Sequence, residues 1–179
     1  MRTIILSLLL SACTYHSNHS DASYFSTIKK YTNNNYNQQI AFYADLSQPS
    51  SGYRFYVLDL VHNTILTKGL CCNGKTDLLL NVLYSNAGKS NCSSKGIYKI
   101  GDFYIGRFGK AYRLHGLSST NSNALSRGVV LHPYKWVPPI PTFFPIIRSK
   151  GCPMVNPSFF KELDSYISRS DKPILLYIE

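Results

Sequence analysis

Acidic residues are scarce in this chain, and so is charge in general. Asp and Glu number nine among 179 residues, and all charged side chains together make up 16%. That is below the usual quarter of a soluble domain. Nineteen Lys and Arg leave a formal charge of +10, which favours a polyanionic neighbour such as nucleic acid, an anionic membrane face or a carboxylate-rich polymer. The cations form no run beyond Lys29-Lys30, and neither a zinc-finger nor an RNP-like pattern occurs. No nucleic-acid partner is expected on that basis. No internal repeat is present. The apolar stretch Ile4–Leu10 is far too short to span a bilayer, which takes roughly 20 apolar residues. What is present is core material: 44% hydrophobic residues and 13% aromatic ones, with 14 Tyr against a single Trp. That composition excludes a disordered chain, and low charge with abundant Tyr, Ser and Asn fits a β-rich protein outside the cytoplasm.

The N-terminus addresses the compartment. Arg2 followed by Ile4–Leu10 reads as a short signal peptide, and Leu10-Ser11-Ala12-Cys13 resembles a bacterial lipobox. Cleavage would fall before Cys13, whose thiol and amine would carry acyl chains. Thr14 after the lipidated Cys resembles outer-membrane sorting in a Gram-negative cell. Several acyl chains together anchor stably where one gives only marginal binding. The expected layout is a signal peptide at 1–12, a lipidated Cys and flexible tether at 13–38, and one folded domain at 39–179. It would lie on the periplasmic face of the envelope, anchored and not spanning.

Within the domain the pattern is mainly β. Gln39–Leu46 is apolar and aromatic, and Gln48–Gly52 breaks it. Tyr53–Leu60 and Thr64–Leu70 read as a hairpin turning at His62-Asn63. Gly96–Ile105 is a further strand with Gly101-Asp102 as a turn or bulge, followed by Tyr112–Leu117 and Gly128–His132. One helix is expected in the domain: Asn156 caps it, Pro157 opens it, and Phe159, Phe160, Leu163, Tyr166 and Ile167 share one face. Ile174–Ile178 closes as a strand. A short helix at Ser23–Tyr31 is expected within the tether.

The remaining cysteines are Cys71, Cys72, Cys92 and Cys152. In an oxidising compartment Cys92 can pair with Cys71 or Cys72, closing a loop of about twenty residues that contributes on the order of 3 kcal/mol. A Cys-Cys neighbour pair lacks the C-x2-C spacing, so no metal site is expected. Cys152 sits in Arg148-Ser149-Lys150-Gly151-Cys152-Pro153, where flanking cations favour the thiolate. Gly151 allows close backbone approach to a substrate. Pro153 has no N–H, so oxyanion donors would come from Gly151, Cys152 or further away. His132 ends an apolar run 20 residues upstream (152 − 132) and suits proton exchange near neutrality. His115 is a second candidate base. His16, His19 and His62 lie in polar sequence and look incidental.

These residues resemble the L,D-transpeptidase catalytic domain, the YkuD-like family of cell-wall enzymes. Its mark is a His and then, after some fifteen to twenty residues, Ser/Thr-x-Gly-Cys; here that is His132 with Ser149-Lys150-Gly151-Cys152. The match is closest to a subgroup written R-S-x-G-C-P. It extends through Arg113–Leu117, Asn121–Ala124 and Arg127–His132, and upstream to Pro49–Leu60 and Ser93–Tyr98, covering about residues 40 to 179.

The resemblance implies a β-sandwich or open-barrel fold with one docked C-terminal helix. It implies acyl transfer on peptidoglycan stem peptides, with no metal or organic cofactor. Cys152 would attack the bond between a diamino acid and D-alanine, and an amine of a second stem would take the acyl group. His132 would shuttle the proton. Gly151 and Cys152 N–H groups with Ser149 would hold the oxyanion, and Arg148, which would bind a stem carboxylate, and His115 are the substrate-binding candidates. A backbone carbonyl, Asn121 or Asn123 would orient His132. Two positions depart from the commoner pattern: Lys150 stands in place of His, and Met154 in place of Arg or Asn. They bear on how the donor is held. With water as acceptor the same thioester makes an L,D-carboxypeptidase, and a silent wall-binding lipoprotein is the reading from another class.

Overall fold

A computed structural model describes residues 22–179. The signal peptide, Cys13, His16 and His19 lie outside the described residues. The elements in chain order are α1 (Ala22–Tyr31), β1 (Ile40–Ala44), β2 (Phe55–Asp59), β3 (Thr64–Gly69), β4 (Gly96–Gly106), β5 (Gly109–Gly116), β6 (Val130–Pro133), β7 (Met154–Val155), α2 (Pro157–Ser168) and β8 (Leu175–Ile178). The eight strands form one open mixed sheet in the order β3-β2-β1-β8-β4-β5-β6-β7. The last strand in sequence thus lies mid-sheet, parallel to β1 and antiparallel to β4.

Alternation along the central strands explains why both faces are covered. Phe42, Ala44, Leu176 and Ile178 face the main core, which α2 closes with Phe159, Phe160 and Leu163. Ala41, Tyr43 and Leu175 face the other side, where Tyr24, Phe25 and Ile28 of α1 bury against them. The ring of Tyr24 stacks on Tyr43 at 4.5 Å. Residues 22–38, expected within a flexible tether, are therefore a docked helix and its connection. Asn37 fastens that connection: its N–H donates to Pro173 O at 2.9 Å, and its Oδ1 accepts from Gln39 N and Ile40 N at 2.8 Å. The physical reason is the Tyr-Phe-x-x-Ile pattern, which gives a ten-residue helix one apolar stripe to bury.

The other elements follow the expected signals closely. Asn156 caps α2, its side chain accepting from Ser158 N at 2.9 Å. Asn63 takes a positive φ of 54° in the β2–β3 turn. The β4–β5 pairing shifts register between Ile100 and Phe103, at Gly101-Asp102. The hairpin is longer than expected, running on to a tip at Gly106–Gly109. β7, two residues long, was not expected from the pattern.

Candidate active site

The segment after Cys152 is held from both sides. β7 pairs in parallel with β6, aligning His132 with Met154 and Pro133 with Val155. On its other edge Cys71 bridges to Val155, and Cys72 N donates to Met154 O at 2.8 Å. Ahead of the cysteine, Ser149 N donates to Asn73 O at 2.7 Å. Buried Arg54 stiffens this flank, giving Cys71 O two guanidinium donors at 2.8 and 2.6 Å and also reaching Asn73 Oδ1. Gly151 has φ +107°, and a Cβ there would lie 2.5 Å from Cys92 O. Both conformation and space demand glycine.

Cys152 is half-buried, and its Sγ lies 3.8 Å from Gly128 O, to which the thiol donates. Burial raises its pKa above the ordinary thiol value, while a backbone hydrogen bond from Val130 and the charge of Arg127 partly offset that rise. The resting group is a neutral thiol. The cations expected to favour the thiolate were Arg148 and Lys150, but the one that acts on it is Arg127. Its guanidinium donates to Ser85 O at 2.8 Å and to Cys92 O at 2.6 Å, spanning from the β6 approach to the segment against Gly151. Arg127 lies within the family-like stretch but had no expected role; its partners, two backbone carbonyls with the Ser90 and Ser94 hydroxyls, lie 33 to 42 residues away, and no local pattern marks them.

His132 is buried, and its Nδ1 lies 3.0 Å from Pro133 O. A carbonyl can only accept, so Nδ1 carries the proton and Nε2 keeps its lone pair. Burial lowers the imidazole pKa, and the bond to Pro133 only partly counters that. The pair at rest is thus neutral on both sides. No hydrogen bond joins the two side chains among the described residues, because the thiol turns to Gly128 O. A second unforeseen residue is Phe108, at the tip of the β4–β5 hairpin. Its ring stacks on His132 with centroids 5.0 Å apart and 17° between planes, and meets Tyr134 edge-on at 5.5 Å. The hairpin tip thereby covers one face of the imidazole.

The orienter of His132 is the backbone carbonyl of Pro133. Asn121 is engaged with Ser118 N and Ile97 O, and Asn123 with Asn86. Of the expected oxyanion donors, Gly151 N is taken by Ser149 Oγ at 3.0 Å. The N–H of Cys152 makes no hydrogen bond among the described residues. His115 is not brought to the pair: its charged neighbours are Lys99, Asp102 and Arg113, and it sits over the Gly101 bulge. Arg148 points away too. Its Nη1 donates to Thr76 Oγ1 at 3.2 Å, on the wall of a cavity of about 740 Å³ that Arg54, Asn73, Asp77 and Lys95 also line.

The expected disulfide is absent, since Cys71, Cys72 and Cys92 are all free thiols. Successive side chains of an extended segment point to opposite sides. Cys71 accordingly enters the main core and Cys72 a smaller cluster with Leu70, Val137 and Met154. Cys92 turns to Ser90 O at 3.7 Å instead. Burial pushes the Cys71 thiol up to about 12 and Cys72 upward as well, so both stay protonated. Among the described residues no group of three His, Cys, Asp or Glu could hold a metal ion, and no helix is long and apolar enough to cross a membrane.

A family model described as the L,D-transpeptidase catalytic domain matches residues 14–177. No curated protein matches the chain in sequence. Among solved structures, the Ldtfm–avibactam carbamoyl enzyme is similar at 11% identity and a TM-score of 0.51, covering 80% of this chain and 49% of that one. A cysteine-to-serine mutant of the Enterococcus faecium L,D-transpeptidase is similar at 11% identity and a TM-score of 0.50, covering 79% and 50%. The chain spans about half the length of those two. That likeness is one of fold, whereas the family model spans nearly the whole sequence. The chain, which carries His132 in β6 and Cys152 just ahead of the adjoining β7, belongs to the L,D-transpeptidase catalytic domain family.

Proposed function

We propose that this protein is a peptidoglycan L,D-transpeptidase acting through Cys152 and His132. The observation that carries the reading is the fixed tautomer of His132. With Nδ1–H committed to Pro133 O, only Nε2 can take a proton, and it does so from a thiol that is itself neutral. Nε2 removes the thiol proton as Sγ attacks the carbonyl between the diamino acid and D-alanine of a stem peptide. The free N–H of Cys152 faces the developing oxyanion, with Ser149 supporting Gly151 beside it. His132 then returns the proton to the departing D-alanine amine, leaving a thioester on Cys152. An amine from a second stem attacks that thioester, His132 accepts its proton, and the thiol is restored. Arg148 offers its guanidinium to a stem carboxylate from the cavity side of the same loop. Residues 1–12 are removed, Cys13 is lipidated, and the domain works on the periplasmic face of the outer membrane.

The test is intact mass after incubation with a carbapenem, beside Cys152→Ala. A covalent adduct on the parent and none on the variant supports the acyl-enzyme. No adduct on a folded, reduced parent would leave the silent wall-binding lipoprotein as the better reading. Supplying a tetrapeptide with and without a diamino acceptor then separates transpeptidation from hydrolysis to a tripeptide.

A further inference from the structure

The β3–β4 loop contains three consecutive leucines, and the structure puts them outside. Leu78 is 100% exposed and Leu79 81%, and Leu80 is exposed as well. Runs of exposed apolar residues are errors of design unless they meet something. This turn is built to present them. Asp77 Oδ1 accepts from Leu79 N at 2.9 Å and from Asn81 N at 2.8 Å. Leu80 takes a left-handed φ of 68°, which a branched side chain adopts only when its surroundings hold it there.

The molecule has a second apolar tip. In the β6–β7 loop Phe143 is 100% exposed and Phe144 81%. Its backbone is pinned through Thr142 N to Ser51 O at 2.9 Å and Ile146 N to Ser50 Oγ at 3.2 Å. The loops meet around the same cavity, whose lining includes Leu78, Leu79 and Leu80 from one and Pro145 and Ile146 from the other. Beneath the tips that lining carries two exposed cations, Lys95 and Arg148, against one acid, Asp77, while Arg54 is buried and committed to backbone carbonyls. The carboxylate of Asp77 is already occupied by its own turn.

We infer that these two tips form a docking surface for an anionic phospholipid bilayer. A protein partner would need pockets shaped to receive four separate projecting side chains. A bilayer needs only apolar tips that enter the acyl boundary and cations that meet its headgroups. The tips include neither His132 nor Cys152, and the inference does not rest on the transpeptidase reading, although Arg148 serves that reading as well. Together with a lipidated N-terminus it would supply a second membrane signal and hold the domain in one orientation.

The chain has a single Trp, so Trp136→Phe with Phe143→Trp in the full chain places the only indole on a tip. The reporter reads the loop itself, whatever the N-terminus does. With phosphatidylglycerol-containing vesicles its emission shifts to the blue and brominated acyl chains quench it, whereas phosphatidylcholine vesicles leave it unchanged. Replacing Leu78, Leu79 and Phe144 by Ser lowers the vesicle concentration dependence of that signal at least about tenfold, given the apolar area removed. No shift on phosphatidylglycerol overturns the inference. An equal shift on both lipids overturns its anionic class. A shift without vesicles that grows with protein concentration overturns it in favour of a second copy covering the tips.

Discussion

At the middle of the sheet, β1 pairs with β2 over five residues and with β8 over four, and side chains alternate cleanly between two apolar clusters. At the β6–β7 edge only two residue pairs join β5 to β6 and two join β6 to β7. What replaces the ladder there is a set of side-chain bonds to backbone carbonyls. Arg54 gathers Cys71 and Gln48, and Arg127 gathers Ser85 and Cys92. The centre is held by burial, which is non-directional and tolerates regular repetition. The edge is held by charge-assisted hydrogen bonds, which fix a few atoms in place. The Cys152 turn, with Gly151 at a positive φ, needs the second kind of support, because a continuous ladder would leave no room for it.

Four experiments sharpen that comparison, beginning with the largest effect. Leu176→Ala removes a fully buried side chain from central β8 and costs about 2–5 kcal/mol by urea denaturation. The protein that remains folded should still acylate Cys152 normally. Gly151→Ala does the reverse. Forcing a Cβ into φ +107° beside Cys92 O costs on the order of 1–3 kcal/mol, but the acylation rate should fall far more than stability. A Gly151→Ala protein with undiminished acylation would refute the claim that this turn shapes the site.

Arg127→Gln is third. Losing its bonds to Ser85 and Cys92 carbonyls costs about 1–3 kcal/mol. Removing the cation also lets the thiol pKa rise further, so iodoacetamide alkylation of Cys152 should slow at any fixed pH. If the same slowing follows Arg148→Gln, the electrostatic assignment is wrong. The smallest effect belongs to Phe108→Ala, about 0.5–1.5 kcal/mol from the lost ring contacts. It is read best through pH. In the parent, burial depresses the His132 pKa, so acylation should climb as His132 deprotonates below the ordinary histidine range and be level through neutrality. Uncovering one face of the ring relieves the desolvation, and the climb should move to higher pH. No movement would mean that the hairpin tip does not shield the base.

Much of the architecture was legible because its signals are local. Asn156-Pro157 begins a helix wherever it is followed by an apolar stripe, and Gly101-Asp102 interrupts a strand by its own backbone preferences. The spacing of His132 and Ser149-Lys150-Gly151-Cys152 was legible as a family pattern. The helix inside the tether was legible at Ser23–Tyr31, but its docking was not, because the value of a three-residue apolar stripe depends on having Tyr43 and Leu175 to cover. The disulfide expectation failed for a similar reason. Sequence distance says that Cys71, Cys72 and Cys92 can close a loop, but only packing says where each side chain points.

The sequence by itself determined which elements form, which glycine must sit before the cysteine, and the family pattern that His132 and Cys152 complete. Each depends on neighbours within a few positions or on a pattern retained along the chain. Tertiary structure alone decided that the charge of Arg127, not Arg148, acts on the thiol, that Phe108 covers the imidazole, and that Pro133 O sets its tautomer. It also decided that Leu78–Leu80 of one loop and Pro145-Ile146 of another line one cavity. Electrostatic and stacking interactions act across a few ångströms of space, and separation along the chain carries no record of that distance.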